Sequence, residues 1–342
     1  MIRKLTYIAF IFLLFSCKKD KNSNQFNNYY FLKIDDVALP INITGNKIAE
    51  HAVIYINDGL NSNLNTEKNN VYWQYIENKY KVVYYDQRGS GTAQGNTKPS
   101  EMSIEQFAAD LDKVIDFTFK IAKVRSVILH GSGIGGAVAC FYASDSTRQE
   151  KINGLILEAP AYDLKNGLAL SKQKVIDLAD ERIATNNNPG GYWTNLKNYY
   201  TEHPVFNSEV FEKHINVLMQ NNGLIFNLNN VKQRKTDAPS TPLDVIYKNQ
   251  LNAYAQIKYN NSYFSEMDMT PLLSKLDLPI LLVWGEQDMF LPKDNLALKF
   301  KLATGSNVTY NPTKYIQTGH IPHAEDFFNF QVDALSFINS YK

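Results

Sequence analysis

The stretch that decides the fold is Ser126-Val-Ile-Leu-His-Gly-Ser-Gly-Ile-Gly-Gly-Ala-Val-Ala-Cys-Phe141. A short β-branched and apolar run ends in a cluster of glycines, and a second apolar run follows at once. This order predicts a buried strand, a sharp turn and a helix. Glycine is needed at such a turn because the backbone is strained and the neighbouring chain segments pack closely.

One large class of hydrolases places its nucleophile on a turn of this kind, in the pattern Gly-x-Ser-x-Gly. The matching frame here is Gly131-Ser132-Gly133-Ile134-Gly135-Gly136, so Gly133 stands at the centre and the serine stands one place early. Without a hydroxyl at Gly133 there is no route through an acyl-enzyme. Adjacent side chains on a sharp turn point in different directions, so Ser132 replaces the nucleophile only if the turn rearranges locally. The sequence therefore leaves open whether the nucleophile is missing or is replaced by Ser132.

Four further apolar runs have the length and composition of buried strands: His51–Ile56, Lys81–Tyr85, Gly154–Leu157 and Pro279–Trp284. Helix-like segments separate them, and one of these begins with a capping box at Ser103. Repeated strand–helix units predict an α/β fold, with a mostly parallel sheet and helices on both faces.

Residues 161–268 interrupt this rhythm. They show no convincing strand alternation, are rich in Asn and Tyr, and contain several helix-like stretches. We interpret them as a helical cap inserted into the main domain, whose two parts are then residues 29–160 and 269–342.

Composition argues against nucleic-acid binding and gives no indication of a metal or cofactor. The chain has 342 residues, 44% of them hydrophobic, and a formal net charge of +1 without a concentrated basic face, so nucleic acid is not a predicted partner. There are two cysteines, and Cys140 lies in an apolar helix where a buried thiol is the default. No Cys/His spacing indicates a metal site, and neither a metal nor a cofactor is predicted.

The N-terminus has the features of a secretion signal. Arg3 and Lys4 precede an apolar run that is too short for a comfortable membrane span, and Ser16-Cys17 follow. Leu14-Phe-Ser-Cys17 resembles a bacterial lipobox, which predicts a signal peptide over 1–17, lipidation of Cys17 and a polar tether over 18–28. The expected location is the bacterial cell envelope, with the N-terminal lipid in the membrane. The alternative is an ordinary secretory signal with a chance cysteine, and a secreted or periplasmic protein.

Four motifs together resemble an α/β-hydrolase, and within that class the proline iminopeptidase group. They are Asp86-Gln-Arg-Gly-Ser-Gly91, the glycine frame at 131–136, Gly285-Glu-Gln-Asp288, and Gly319-His320 with the residues that follow. Their order is the order of turn, acid and histidine in that class. The first motif is fairly specific for the group, whereas the whole class shares the other three.

The resemblance assigns a role to each position. His320 would take and return the nucleophile's proton, and Asp288 would orient the imidazole. The backbone N–H groups of Ile134 and Gly59 would form the oxyanion hole. Relatives carry a glycine-rich run where this chain has Asn57-Asp58-Gly59, and a carboxylate at Asp58 would oppose catalysis if it pointed inward.

Two functions remain. The first is peptide or ester hydrolysis of the proline iminopeptidase type, weak or lost because glycine replaces the serine, or proceeding through Ser132 or an unforeseen group. The second is a catalytically silent binding protein of the cell envelope. In either case the predicted ligand is a small molecule or short peptide in a pocket under the cap.

Overall fold

The computed structural model describes residues 24–58, 63–221, 261–304 and 308–342. In this part of the chain a single sheet of nine strands forms the centre. The strands are β1 (Gln25–Ile34), β2 (Val37–Asn46), β3 (His51–Ile56), β4 (Lys81–Tyr85), β5 (Gln94–Gly95), β6 (Ser126–Ser132), β7 (Gly154–Glu158), β8 (Ile280–Val283) and β9 (Val308–Tyr310).

The strand order is β1-β2-β4-β3-β6-β7-β8-β9, with β5 paired to β2. From β4 to β9 every neighbouring pair is parallel, and β1 and β2 form an antiparallel hairpin at one edge. The predicted, mostly parallel sheet is therefore confirmed. Because the carboxyl ends of parallel strands lie at one edge of the sheet, the loops after β3, β6, β7 and β8 converge there.

Thirteen α-helices lie in the described ranges. They are α1 (Leu64–Lys68), α2 (Tyr72–Glu77), α3 (Ile104–Ala122), α4 (Gly133–Ala143), α5 (Ser146–Gln149), α6 (Leu164–Ala184), α7 (Tyr192–Glu202), α8 (Ser208–Gln220), α9 (Asn261–Ser265), α10 (Thr270–Leu273), α11 (Lys293–Ala303), α12 (Pro322–Glu325) and α13 (Phe327–Tyr341). As predicted, Ser103 caps α3, and its hydroxyl accepts a hydrogen bond from the Gln106 N–H.

Helices cover both faces of the sheet, and alternate residues of each strand serve the two sides. In β3, Ile54 and Ile56 belong to the core that α3 and α4 complete. Val53 and Tyr55 belong to the opposite core, which α2 and α13 complete. Burial on both faces explains why this strand is an unbroken apolar run in the sequence.

Two boundary predictions can be compared with the structure. The described residues between β7 and β8 form helices joined by loops, and their one β-type contact is an isolated bridge between Asp163 and Asp268. The tether, by contrast, was predicted to continue to Asn28, which is wrong because β1 begins at Gln25 and pairs with β2. Within the described residues, no helix is long and apolar enough to span a bilayer.

Candidate active site

The turn at the centre of the sequence forms as predicted. Strand β6 ends at Ser132, and α4 begins at Gly133 with a φ of 50°, a left-handed value that glycine adopts freely. Close packing explains a second glycine of the frame. A Cβ on Gly135 would lie 2.1 Å from the Ile56 carbonyl oxygen, so the start of α4 fits against β3 only without a side chain there.

The structure brings Asp288 and His320 together at the carboxyl edge of the sheet. Asp288 lies in the loop after β8, where its Oδ1 accepts hydrogen bonds from the N–H groups of Phe290 (2.8 Å) and Leu291 (3.0 Å). Its Oδ2 lies 2.7 Å from His320 Nδ1. Both side chains are buried, and the arrangement is that of an acid that orients a histidine.

The other face of the histidine contacts a second carboxylate. His320 Nε2 lies 3.0 Å from Asp58 Oδ2, and the Ile134 N–H donates to Asp58 Oδ1 over 3.0 Å. Asp58 therefore points inward from the end of β3, rather than towards solvent. It takes both partners that a serine hydrolase reserves for its nucleophile and its oxyanion.

The Asp58 carboxylate also fills the space of the missing side chain. An ideal Cβ on Gly133 would lie 1.5 Å from Asp58 Oδ1 and 3.0 Å from His320 Nε2. The absence of a side chain at Gly133 and the inward carboxylate at Asp58 are thus sterically complementary.

Electrostatics favour a charged histidine in this setting. Burial alone would lower the pKa of His320, but the carboxylates of Asp288 and Asp58 outweigh burial and hold the pKa well above its ordinary value. A doubly protonated ring donates one hydrogen bond to each carboxylate, which satisfies both nitrogens. An imidazolium has no free lone pair and cannot act as a general base.

The other predicted site residues have different fates. Ser132 Oγ is fully buried and has no hydrogen-bond partner among the described residues, so the structure does not bring it to His320. The backbone N–H of Ile134 does point into the site, but it already donates its hydrogen bond to Asp58 Oδ1. Gly59 and Cys17 lie outside the described residues, as do residues 222–260 of the predicted cap, so the pocket under the cap stays a prediction.

The Asp86-Gln-Arg-Gly run supports the segment that carries Asp58. Asp86 accepts hydrogen bonds from the N–H groups of Leu64 and Thr92, each over 2.7 Å, and Gln87 Nε2 donates to the Asn57 carbonyl over 3.1 Å. Burial raises the pKa of Asp86 to about 6. The run therefore holds Asn57, next to Asp58, and the start of α1.

A second histidine–carboxylate cluster lies nearby, and sequence reasoning missed it. Glu158 Oε1 lies 2.6 Å from His130 Nε2 and 2.8 Å from His323 Nδ1, and all three side chains are buried. His323 Nε2 also lies 3.3 Å from Glu67 Oε2. These residues come from β6, β7, α12 and α1, so their spacing in the sequence contains no signal of the cluster.

The pKa values of the two histidines in this cluster shift in opposite directions. Burial alone would lower the pKa of His323, but Glu158 and Glu67 raise it to about 10. Burial lowers the pKa of His130. For Glu158, burial alone would raise the pKa, yet His323 and His130 hold it below its usual range. His323 lies three residues after His320, and each of the two histidines has its own carboxylate partner.

Comparison with known proteins bears on the fold. Residues 49–199 match the family model described as serine aminopeptidase, S33. The matched stretch includes Asp58 and Gly133 but ends before Asp288. No curated protein matches the chain in sequence.

Solved structures resemble the whole described domain. An esterase from Exiguobacterium antarcticum aligns at a TM-score of 0.56 and 15% identity, covering 92% of this chain and 100% of the other. A hydrolase from Pseudomonas aeruginosa gives 0.56 and 14%, covering 91% and 98%. An alpha/beta fold family hydrolase from Bacillus anthracis gives 0.54 and 16%, covering 91% and 99%. The chain has the α/β-hydrolase fold.

The α/β-hydrolase fold explains why residues far apart in the sequence meet. Turn, acid and histidine each follow a strand at the same edge of the sheet. The signal for Asp58 was present in the sequence as a departure from the glycine-rich run of relatives, but its direction could not be inferred without the structure.

Proposed function

We propose that the protein has lost serine-dependent hydrolysis and acts as a ligand-binding protein. One observation carries this proposal: the Asp58 carboxylate occupies the space that a side chain at position 133 requires. A protein that used an acyl-enzyme would need a hydroxyl at this point, and here a charged oxygen takes its place.

The rest of the site supports the same conclusion. His320 has a carboxylate at each ring nitrogen, which favours the doubly protonated ring, and this ring cannot accept a further proton. The Ile134 N–H, which would stabilise a developing oxyanion, already donates to Asp58. Loss of a single oxyanion donor costs about 10²–10³ in rate in other enzymes, and here a carboxylate adds repulsion as well.

The ligand and the location are part of the proposal. The ligand is a small molecule or a short peptide bound beneath the cap, and cleavage of the proline iminopeptidase type is not retained. The protein is anchored in the bacterial cell envelope through a lipid on Cys17, so binding takes place at the membrane surface.

Activated esters and short peptides test the proposal. We expect purified wild-type protein to hydrolyse them no faster than His320→Ala. The double variant Gly133→Ser, Asp58→Gly should acquire ester hydrolysis, because the base, its orienting acid and one oxyanion donor are then free. Adding His320→Ala to the double variant should abolish that activity. Efficient hydrolysis by wild type that disappears in Ser132→Ala would contradict the proposal.

A second candidate function is favoured by the contacts of Asp58 itself. Its Oδ2 faces His320 Nε2 and its Oδ1 faces the Ile134 N–H, each at 3.0 Å, which is also a suitable setting for a carboxylate nucleophile. Asp58 would attack a saturated carbon and form an alkyl ester, while His320 gives its Nε2 proton to the leaving oxygen. Water would then attack the ester carbonyl, with the neutral His320 taking its proton, and an alcohol would leave.

A single turnover in water enriched in heavy oxygen separates the two candidates. The nucleophilic route places the heavy oxygen in the Asp58 carboxylate, which mass spectrometry of the peptide would detect. Asp58→Asn is the control, since its amide does not form the alkyl ester and residue 58 should therefore gain no heavy oxygen. Absence of label with a panel of epoxides and alkyl esters leaves the binding function.

A further inference from the structure

The buried cluster of His130, Glu158 and His323 has no part in the proposed function. One donor atom from each residue lies within 4.8 Å of the other two, and each side chain is fully or almost fully buried. The three residues lie in β6, at the end of β7 and in α12. Such a set of donors is unusual in an interior that is otherwise lined by aromatic rings.

We propose that His130, Glu158 and His323 form a binding site for a divalent transition-metal ion of the zinc type. Two imidazole nitrogens and one carboxylate oxygen are donors that zinc prefers in proteins. The candidate donor atoms are His130 Nε2, Glu158 Oε1 and His323 Nδ1, the three atoms that now contact one another.

Glu67 supplies an outer contact of the kind that metal-binding histidines use. His323 Nε2 lies 3.3 Å from Glu67 Oε2, so its N–H can donate to this carboxylate. That hydrogen bond fixes the tautomer in which Nδ1 carries the free lone pair. The same contact holds the plane of the ring towards Glu158.

Charge balance also favours a cation. Glu158 and Glu67 bring two negative charges to an interior in which His323 can supply one positive charge. A divalent cation bound between these residues would balance the two carboxylates. Removing a net charge from a dry interior is favourable because charges are costly there.

Binding requires only a small movement of the donors. Zinc bonds to nitrogen and oxygen of about 2.0–2.2 Å place tetrahedral donors roughly 3.3 Å apart. The two donor contacts to Glu158 Oε1 are now 2.6 and 2.8 Å, and all three donor atoms lie within 4.8 Å of one another, so each donor must move by about 1 Å or less. The Glu67 side chain is 14% exposed and marks the side from which an ion would enter.

The experiment uses full-length mature protein without a histidine tag. After treatment with a chelator, the protein is incubated with Zn²⁺ or Co²⁺, desalted and analysed for metal per chain and for melting temperature. We expect one ion per chain, a higher melting temperature, and for Co²⁺ the visible absorption of a tetrahedral site. Wild type that retains no metal and shows no thermal shift overturns the proposal.

Variants locate the ion. Glu158→Gln and His323→Gln should lose it, whereas His214→Gln, which removes a buried histidine of the cap, should retain it. Glu67→Gln keeps the three ligands and should weaken affinity about 10–100-fold, the usual effect of an outer partner. This variant keeps the test valid if ligand variants fail to fold. Unchanged binding in Glu158→Gln, His323→Gln and Glu67→Gln would show that the metal lies elsewhere and would refute the site.

Discussion

At the scale of single residues, the site is defined by two departures that fit each other. Gly133 has no side chain, and the Asp58 carboxylate takes the vacated space and its hydrogen bonds. Either change alone would leave a defect. A serine at 133 would collide with Asp58, and a glycine at 58 would leave His320 Nε2 and the Ile134 N–H without this partner.

This complementarity predicts a non-additive effect on stability. Gly133→Ala should destabilise wild type by about 1–3 kcal/mol from overpacking against Asp58, in addition to strain at a positive φ. In the Asp58→Gly background only the strain and the 3.0 Å approach of the new Cβ to His320 Nε2 should remain. A double-mutant cycle of urea unfolding measures the difference.

Gly190 offers a matched control for that cycle. Its φ is 57°, close to the 50° of Gly133, but a Cβ there would meet no atom within 4 Å. Gly190→Ala therefore reports the cost of strain without a collision. If Gly133→Ala and Gly190→Ala cost the same in wild type, Asp58 does not fill the position.

The high pKa of His320 predicts a pH dependence of stability. Because the pKa is raised in the folded state, the stabilisation is complete below the unfolded value of about 6.5 and is lost as pH rises through the folded pKa. We expect the free energy of unfolding to fall on the alkaline side of neutrality. Asp58→Asn removes one of the two charges that raise the pKa, so its fall should begin at lower pH. Parallel pH curves for the two proteins would be inconsistent with the Asp58–His320 ion pair.

Part of this site could be predicted from the sequence, because some of its residues lie in short motifs that are recognisable without the fold. Asp288 and His320 stand in short motifs whose glycines and order are tied to strand ends. Asp58 was recognised as a departure, but which way a side chain points depends on neighbours far along the chain. Glu158 and His323 are 165 positions apart, so only the folded sheet brings them together.

At the scale of elements, the loop after β4 connects the site to α3. Arg88 forms a buried two-pronged ion pair with Asp110 of α3, with Nε–Oδ2 and Nη2–Oδ1 distances of 2.6 and 2.7 Å. Together with the Gln87 contact to Asn57, this pair ties the segment before Asp58 to the core. The sequence marked the loop as a motif of the resembled group, but its partner on α3 could not be inferred from it.

Removal of one partner should be costly here. Asp110→Ala leaves Arg88 buried with only its longer contact to Glu101 Oε2, at 3.4 Å, so we expect a loss of about 3 kcal/mol in the free energy of unfolding. Asp116 lies on the same helix, and its ion pair with Lys151 is half-exposed, so Asp116→Ala should change stability by at most about 1 kcal/mol. Equal costs in denaturant unfolding would contradict the assigned role of Arg88.

At the scale of the whole molecule, the α/β rhythm of the sequence predicts the sheet that the structure has, and the N-terminal pattern predicts a lipid anchor, which stays a prediction. The described domain begins with β1, which pairs with β2 from Gln25 onwards. Only a few residues then separate Cys17 from the edge strand, so the domain of a lipidated protein would lie close to the membrane rather than on a long tether.

The anchor is testable through Cys17. Bacterial lipoproteins carry several acyl chains, and multiple chains bind a membrane stably where one chain binds only marginally. In a bacterial host, wild type should fractionate with membranes and resist high salt, and labelled fatty acid should be incorporated. Cys17→Ser should abolish the labelling and either release the protein or block its processing. Cys140→Ser is the matched control, since the Cys140 thiol is buried in α4 and should not be acylated. Unchanged fractionation and processing of Cys17→Ser would refute lipidation and favour an ordinary secretory signal.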